Sequence, residues 1–329
     1  MRTGTALSWR KRWASDDTGE PARVRLAVVK VQDVMSISTE PISSKPAASR
    51  TTGVVSSILS SVNRGNLRQG LLAVVLPVIV IVVWQMAGTN GSLFGGVLPT
   101  PDRAWQAWKV WAFGPTGLSL NPYSGTWFAN LIFSAERVGK GFLAAIVVAV
   151  PVGLAIGWNR IASGALDPTV QLLRPIPITA WLPFSIAVFG IRDMGAVFLI
   201  ALGAFYPIVV NTAQGARDVE RNLIRAALMM GAGRWTVLRR VVLPASLPSI
   251  FTGLRIGLGI AWTAVIVAEM VAVKSGLGYV LWDAYYVGRM DVVIADMVSI
   301  GLLGLISDRV ILLIERWVLT WRRLQSFQS

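Results

Sequence analysis

Side chains able to do covalent chemistry are scarce in this chain of 329 residues, which contains no histidine and no cysteine. That composition excludes disulfides, thiolate nucleophiles, zinc or iron–sulfur sites and a histidine general base. No paired acidic motif stands out in the polar segments, and the sequence has no Gly-x4-Gly-Lys-Ser/Thr loop to hold a nucleotide phosphate. A membrane enzyme is therefore the least favoured class of function, and no cofactor is expected to bind this chain.

The composition indicates a protein whose solvent is lipid. Hydrophobic residues make up 54% of the chain and charged residues 15%, against about 25% charged residues in an ordinary soluble domain. The formal charge is +14, from 31 Lys and Arg against 17 Asp and Glu. In a membrane protein such cations collect in cytoplasmic loops and tails, so nucleic acid is not expected as a partner.

Apolar runs predict an all-α polytopic membrane protein with six transmembrane helices. The third helix is interrupted by prolines, which remove a backbone hydrogen bond and disrupt the helical turn. A short interfacial helix is expected at 103–110 and a polar connection at 274–291. The predicted spans cover residues 71–87, 130–158, 165–189, 195–213, 250–273 and 292–313.

The second span carries two further signals. Its small residues, Gly141 and Gly153 among them, predict close approach of a neighbouring helix. Arg137 and Lys140 lie in its first half and are expected to face water or to snorkel toward the lipid headgroups.

Basic segments set the predicted direction of the chain through the membrane. The N-terminal segment, residues 217–240 and the C-terminal end are rich in Arg and Lys, so both termini are expected in the cytoplasm. The chain then divides into a basic, mostly disordered tail (1–69), a membrane domain (70–320) and a second cytoplasmic tail (321–329). Met35 is a plausible alternative start, which leaves open whether residues 1–34 are translated.

The segment between the fourth and fifth spans has the most informative spacing. A short helix with an alanine face is expected to end at Gly231, and a second basic helix at 234–242 leads to a proline. We call residues 221–244 the elbow. One interpretation is a membrane-surface helix that only connects two spans; the other is a coupling helix in the cytoplasm. The residues that carry the pattern are Arg225, Ala226, Ala227, Gly231, Val241, Leu243 and Pro244.

This spacing resembles the permease subunits of bacterial binding-protein-dependent ABC importers. Their hallmark loop reads Glu-Ala-Ala, three residues, Gly, nine residues, then an aliphatic residue, any residue, Leu and Pro. The chain departs from it at Arg225, where the family prefers Glu. Further segments look like the nitrate, sulfonate, taurine and bicarbonate branch: 173–183, 203–207, 257–262, 268–270 and 275–279.

The resemblance implies a division of labour among subunits in the bacterial inner membrane. A cytoplasmic ATPase, which holds ATP and Mg²⁺, receives the helix at 226–231, where both Ala226 and Ala227 are expected to act through close packing. A periplasmic or lipid-anchored binding protein delivers a small oxyanion or an organic sulfonate. A second permease copy completes the path, a homodimer being favoured over a pair of paralogues, and lipids surround it. The particular solute stays open.

Candidates for the path itself fall into three groups. The first group lies at the broken helix, whose free backbone N–H groups would attract anions. The alternative for this group is a packed kink without solute contact. Polar side chains of the fourth span could donate to oxyanion oxygens or form hydrogen bonds between helices. Glu269 lies at membrane depth, where a carboxylate is a functional candidate, but a salt bridge, with Arg255 for example, is favoured. These candidates are Pro175, Pro177, Trp181, Pro183, Tyr206, Asn211 and Glu269.

An ATP-independent secondary transporter or channel is the rival from another class. Co-purification of an ATPase with the chain would separate the two.

Overall fold

A computed structural model describes residues 75–90, 96–116 and 121–320. Every regular element in those ranges is helical, as the sequence predicts. The predicted tails at 1–69 and 321–329 lie outside the described residues and stay predictions. The helices are α1 (Val75–Thr89), α2 (Pro101–Phe113), α3 (Trp127–Trp158), α4 (Arg160–Leu173), α5 (Leu182–Phe189), α6 (Asp193–Arg217), α7 (Arg221–Met229), α8 (Arg234–Val237), α9 (Leu243–Ala272), α10 (Leu277–Tyr286) and α11 (Met290–Val318).

Four helices in the described ranges are long and apolar enough to cross a membrane. They are α3, α6, the continuous helix Arg234–Ala272 and α11, and they coincide with the predicted second, fourth, fifth and sixth spans. The predicted third span is the pair α4 and Ile178–Phe189, bent by 93°, and counting it as one span gives five. The described part of the predicted first span is the shorter apolar helix α1. The structure thus supports four or five of the six predicted spans.

Two connections differ from the prediction. The segment expected to be a polar connection at 274–291 contains α10, whose residues Leu277, Val280 and Ala284 are buried. The basic helix expected at 234–242 does not end before the proline: it continues through a π-turn, Leu238–Val242, into α9. A wider π-turn shifts the hydrogen-bond ladder, and it directly precedes Pro244, the second residue of α9, whose ring nitrogen has no N–H to donate to the preceding turn.

The main core lies where α3, α6 and α9 pack along their lengths. Gly141 and Gly153 of α3 face α6 so closely that a Cβ would lie 2.6 Å from Ile200 Cγ2 or from Thr212 Cβ, respectively. The predicted close packing of these small residues is confirmed. Because such contacts recur along the helices, we treat α3, α6 and α9 as one three-helix block.

A second, smaller core joins α2, α10 and the start of α11. Trp111, Leu277 and Val292 are almost wholly buried in it. The hydroxyl of Tyr123 donates to Asp283 at 2.8 Å, and burial together with this bond raises the pKa of the tyrosine. The hydroxyl therefore stays protonated and holds the loop before α3 against α10.

Candidate functional site

The elbow begins with α7 and turns at one glycine. Gly231 adopts φ +82°, a left-handed conformation that residues with a Cβ rarely take. Its N–H donates to Leu228 O at 3.0 Å, and the N–H of Ala232 donates to Ala227 O at 3.1 Å. These bonds close the end of α7 and reverse the chain into α8, so the glycine at this spacing is what makes the elbow turn.

The two alanines of the elbow point in different directions. Ala227 is 7% exposed and packs with Ala216, Val219, Val237 and Val242, whereas Ala226 is exposed. The sequence predicted that both alanines act through close packing. Within the described residues, Ala227 is packed and Ala226 is exposed. Leu154 and Trp158 also contact this elbow core, so the end of α3 packs against the same core as α7.

The free side of the elbow carries apolar and cationic side chains together. Met229 and Met230 are 88% and 81% exposed, and Leu228 and Trp235 are exposed beside them in sequence. Five arginines of the elbow are also exposed, and none of them forms an ion pair with any described residue: Arg221, Arg225, Arg234, Arg239 and Arg240. This surface has the composition of a docking site.

The later pattern residues anchor the elbow to α9. Val241 is half-buried against the elbow core, and its neighbour Val242 is fully buried. Leu243 and Pro244 form the first turn of α9. The helix Arg234–Ala272 is unbroken, so the second half of the elbow moves with α9, and the apolar elbow core links α7 to it across the turn at Gly231.

The broken helix contains a 3-10 turn, Ile178–Trp181, between α4 and α5. Pro175, Pro177 and Pro183 are exposed. Trp181 packs against a small core formed by Ala196, Leu199 and Ala268, and its buried indole N–H has no hydrogen-bond partner in the described chain. At the break between α4 and α5, the prolines are thus exposed and the indole N–H of Trp181 is a buried donor without a partner among the described residues. That these groups line a solute path stays a prediction.

The two candidate path residues of α6, Asn211 and Tyr206, make no side-chain hydrogen bond to another helix among the described residues. Asn211 donates to Pro207 O at 2.8 Å within its own helix, so the alternative of an interhelical bond does not hold for it in this structure. Tyr206 is 8% exposed and packs in the main core. Their predicted contact with a solute remains a prediction.

Glu269 lies in a saturated ion-pair cluster. Its side chain is 0% exposed and accepts from Arg137 Nη1 at 2.7 Å, from Ser134 Oγ at 2.8 Å and from the Gly278 N–H at 2.9 Å. The favoured salt bridge therefore exists, but the partner of Glu269 is Arg137. Arg255 pairs instead with Asp308 at 2.8 Å. Arg137 is itself buried, so the expectation that it faces water or snorkels is wrong.

A glycine-containing loop wraps the Glu269 carboxylate. Gly276 has φ +105° and donates its N–H to Asn130 Oδ1 at 2.9 Å, while Leu277 N–H donates to Ser134 Oγ at 2.9 Å. Arg137 donates to the Ser275 oxygens at 2.6 and 2.9 Å. A Cβ on Gly276 would collide with the carboxylate. We call Ser134, Arg137 and Glu269, with the loop at 275–278, the Glu269 cluster.

Sequence reasoning missed most of this cluster. Ser134, Arg137 and Asn130 lie on the second span and offered no motif, whereas the two glycines at 276 and 278 were a usable signal of close approach. Within the described residues, no group of three or more Asp and Glu side chains is placed to hold a metal ion. The arrangement fixes α3, α9 and the loop before α10 to one another.

The elbow, the broken third span and the three-helix block together are typical of a membrane transport subunit. The family described as "Binding-protein-dependent transport system inner membrane component" matches residues 126–320. The chain belongs to this family, and it is a multi-pass inner-membrane permease subunit of the ABC importers, in the nitrate, sulfonate and bicarbonate branch.

Three named relatives are similar over most of their length. The aliphatic sulfonates transport permease protein SsuC of Bacillus subtilis is 35% identical over 77% of this chain and 87% of its own. The bicarbonate transport system permease protein CmpB of Synechococcus elongatus is 34% identical over 77% and 92%. The nitrate import permease protein NrtB of Synechocystis is 35% identical over 73% and 86%.

The fold is that of a solved importer. An inward-facing structure of the MetNI methionine ABC transporter superposes with a TM-score of 0.53 at 21% identity, over 58% of this chain and 95% of that one. At this identity the likeness concerns the fold alone.

Proposed function

We propose that this chain forms the membrane path of an ATP-driven importer and that its elbow receives the motion of a separate ATPase subunit. The observation that carries the proposal is the two-sided helix α7. One side, with Ala227, is packed into the elbow core, to which the ends of α3 and α6 also contribute; the other leaves Met229 and Met230 uncovered. Uncovered apolar side chains beside arginines also suit a membrane-surface connector, so the buried side of α7, which fixes the elbow to the core beneath it, is what favours a coupling element.

ATP and Mg²⁺ belong to the partner in this proposal. The chain has no phosphate-binding loop, so the energy of hydrolysis has to reach it through a surface. Closure of two ATPases would displace the elbow, and the three-helix block would follow as a rigid body, because closely packed helices shift between discrete arrangements instead of deforming. Alternating access then follows from rotation of the block.

Orientation and assembly belong to the same proposal. The elbow and both termini lie in the cytoplasm, in keeping with the arginines of the elbow and the basic tails. The membrane domain at 70–320 pairs with a second copy of itself, surrounded by lipid, and a periplasmic or lipid-anchored binding protein supplies the solute.

The solute we propose is a small oxyanion or an organic sulfonate. The names of three relatives, for sulfonates, bicarbonate and nitrate, support this class. In the chain itself, the buried N–H of Trp181 is an unused donor beside the broken helix, and it would be available to an oxyanion oxygen in a conformation that exposes it.

Reconstitution tests the proposal. The chain is co-expressed with candidate ABC ATPase and binding-protein subunits from the same genome, and uptake of labelled taurine, nitrate and bicarbonate into proteoliposomes is measured. We expect uptake of one of these solutes that requires ATP, the binding protein and an intact phosphate-loop lysine in the ATPase. Accumulation by vesicles that contain the permease alone would contradict the proposal and support an ATP-independent transporter or channel.

A further inference from the structure

The Glu269 cluster and the elbow lie at opposite ends of the three-helix block. Arg137 of the cluster and Trp158 of the elbow core are both on α3, about 30 Å apart at about 1.5 Å of rise per residue. On α6, Asp193 contacts Arg137 at 2.7 Å, and Ala216 packs in the elbow core. Any rigid movement imposed on the elbow therefore arrives at the cluster.

The cluster is where the block holds α10. Three successive backbone N–H groups, those of Gly276, Leu277 and Gly278, donate to side chains of α3 and α9. Arg137 adds two bonds to Ser275. The remaining buried side of α10 packs in the second core with α2 and α11. At this end of the molecule, the cluster is thus a polar bridge between two apolar cores.

A buried ion pair is an inefficient way to gain stability, because desolvation of the two charges offsets most of their attraction. The pair instead fixes the orientation of the loop at 275–278, because each hydrogen bond holds one loop atom in place, whereas apolar side chains can slide past each other. The strict geometry around the carboxylate supports this function. Gly278 has no room for a Cβ, which would lie 2.6 Å from Ile266 O.

From this geometry we infer that Arg137 and Glu269 are positioning residues for transport: they tie α10 to the three-helix block, so that displacement of the elbow moves α10 with it. This inference rests on the proposed function, since it assigns α10 as the element driven at the far end. Neither residue needs to touch the solute.

Spin labels test the attachment directly. The chain has no cysteine, so two introduced cysteines are the only labelling sites. Lys140→Cys on α3 and Tyr286→Cys on α10 replace side chains that are 62% and 70% exposed. With the doubly labelled chain diluted into unlabelled chain, so that each complex carries at most one labelled copy, we expect one narrow distance between the two labels, unchanged between the nucleotide-free and ATP-bound complex, and a broad distribution when Glu269→Gln is added. A distance that changes with nucleotide in the otherwise unaltered chain would overturn the inference.

ATP hydrolysis supplies the functional readout. In Glu269→Gln we expect the stimulation of hydrolysis by loaded binding protein to fall about tenfold while basal hydrolysis and ATPase assembly persist, because the buried arginine loses its buried partner and keeps the exposed Asp193. Asp308→Asn is the matched control, since its ion pair with Arg255 joins α9 to α11 and is more than one-third exposed; it should keep full stimulation. Equal stimulation in both variants would refute the inference.

Two further outcomes are informative. If Glu269→Gln does not accumulate in the membrane, Ser134→Ala removes only the hydroxyl that bridges Glu269 and the loop, and it should lower stimulation by about threefold; unchanged stimulation would overturn the inference. If no ATPase co-purifies with the unaltered chain, the proposed function fails, whereas the spin-label distances still decide whether the cluster holds α10.

Discussion

The two alanines of the elbow give the sharpest test of its structure, because they are neighbours in sequence and face opposite environments. Ala227→Leu forces three extra carbons into a site that is 7% exposed among Ala216, Val219 and Val242. Overpacking of this kind costs about 1–3 kcal/mol, which raises the population of the opened elbow by about 5- to 150-fold at about 1.4 kcal/mol per factor of ten. Ala226→Leu adds the same carbons on an exposed position and should change stability by less than about 0.5 kcal/mol.

Trypsin measures that opening, because it cleaves after arginine and the elbow contains five exposed arginines. When opening is fast relative to cleavage, the cleavage rate follows the open population. We therefore expect faster cleavage of the elbow in Ala227→Leu than in the parent chain, and an unchanged rate in Ala226→Leu. The second variant should nonetheless lose ATPase stimulation, because its new side chain lies on the docking surface. Equal cleavage rates in the two variants would refute the assignment of inner and outer faces.

Further substitutions test the turn, the block and the charge of the elbow. Gly231→Ala meets no neighbouring atom, so its cost is conformational, about 1 kcal/mol, and elbow cleavage should rise about fivefold; an unchanged rate would show that the left-handed turn is dispensable. Gly153→Leu collides with Thr212 and should abolish the monodisperse peak in size-exclusion chromatography, whereas Gly164→Leu, which has open space, should keep it. Arg225→Glu should leave the melting temperature unchanged and weaken ATPase binding at low salt, with the difference shrinking as salt screens the charges; a salt-independent effect would argue against an electrostatic contact.

The long helices and the elbow turn could be predicted because their signals are local. Hydropathy marks α3, α6, α9 and α11, and one glycine with φ +82° marks the turn. The end of the basic helix at 234–242 could not be predicted, since a proline usually stops a helix. A π-turn directly before Pro244 let the helix continue, and nothing in the composition of Leu238–Val242 signals it.

The partner of Glu269 depends on how three helices are aligned along their axes, which hydropathy does not specify. The sequence already excluded Arg255, which lies on the same predicted span as Glu269, whereas Arg137 lies on another helix whose alignment with that span was unknown. Arg137 lies within reach of Glu269 because close contacts, such as that of Gly141 with Ile200, fix the position of α3 along the axis of α6. Arg255 lies about 20 Å further down α9 at about 1.5 Å per residue, too far from Glu269 on the same helix to reach it.

The segments that marked the branch of the family meet at one place in the fold. Trp181, from the segment at 173–183, packs against the core that contains Ala268, while the next residue, Glu269, binds the loop at 275–278. Successive residues of a helix point about 100° apart, so one turn of α9 holds the broken helix on one side and α10 on another. Ala268 belongs to the core against which the indole of Trp181 packs, and the carboxylate at 269 binds the loop. Two neighbouring residues of α9 therefore connect the candidate path to the element at the far end of the block.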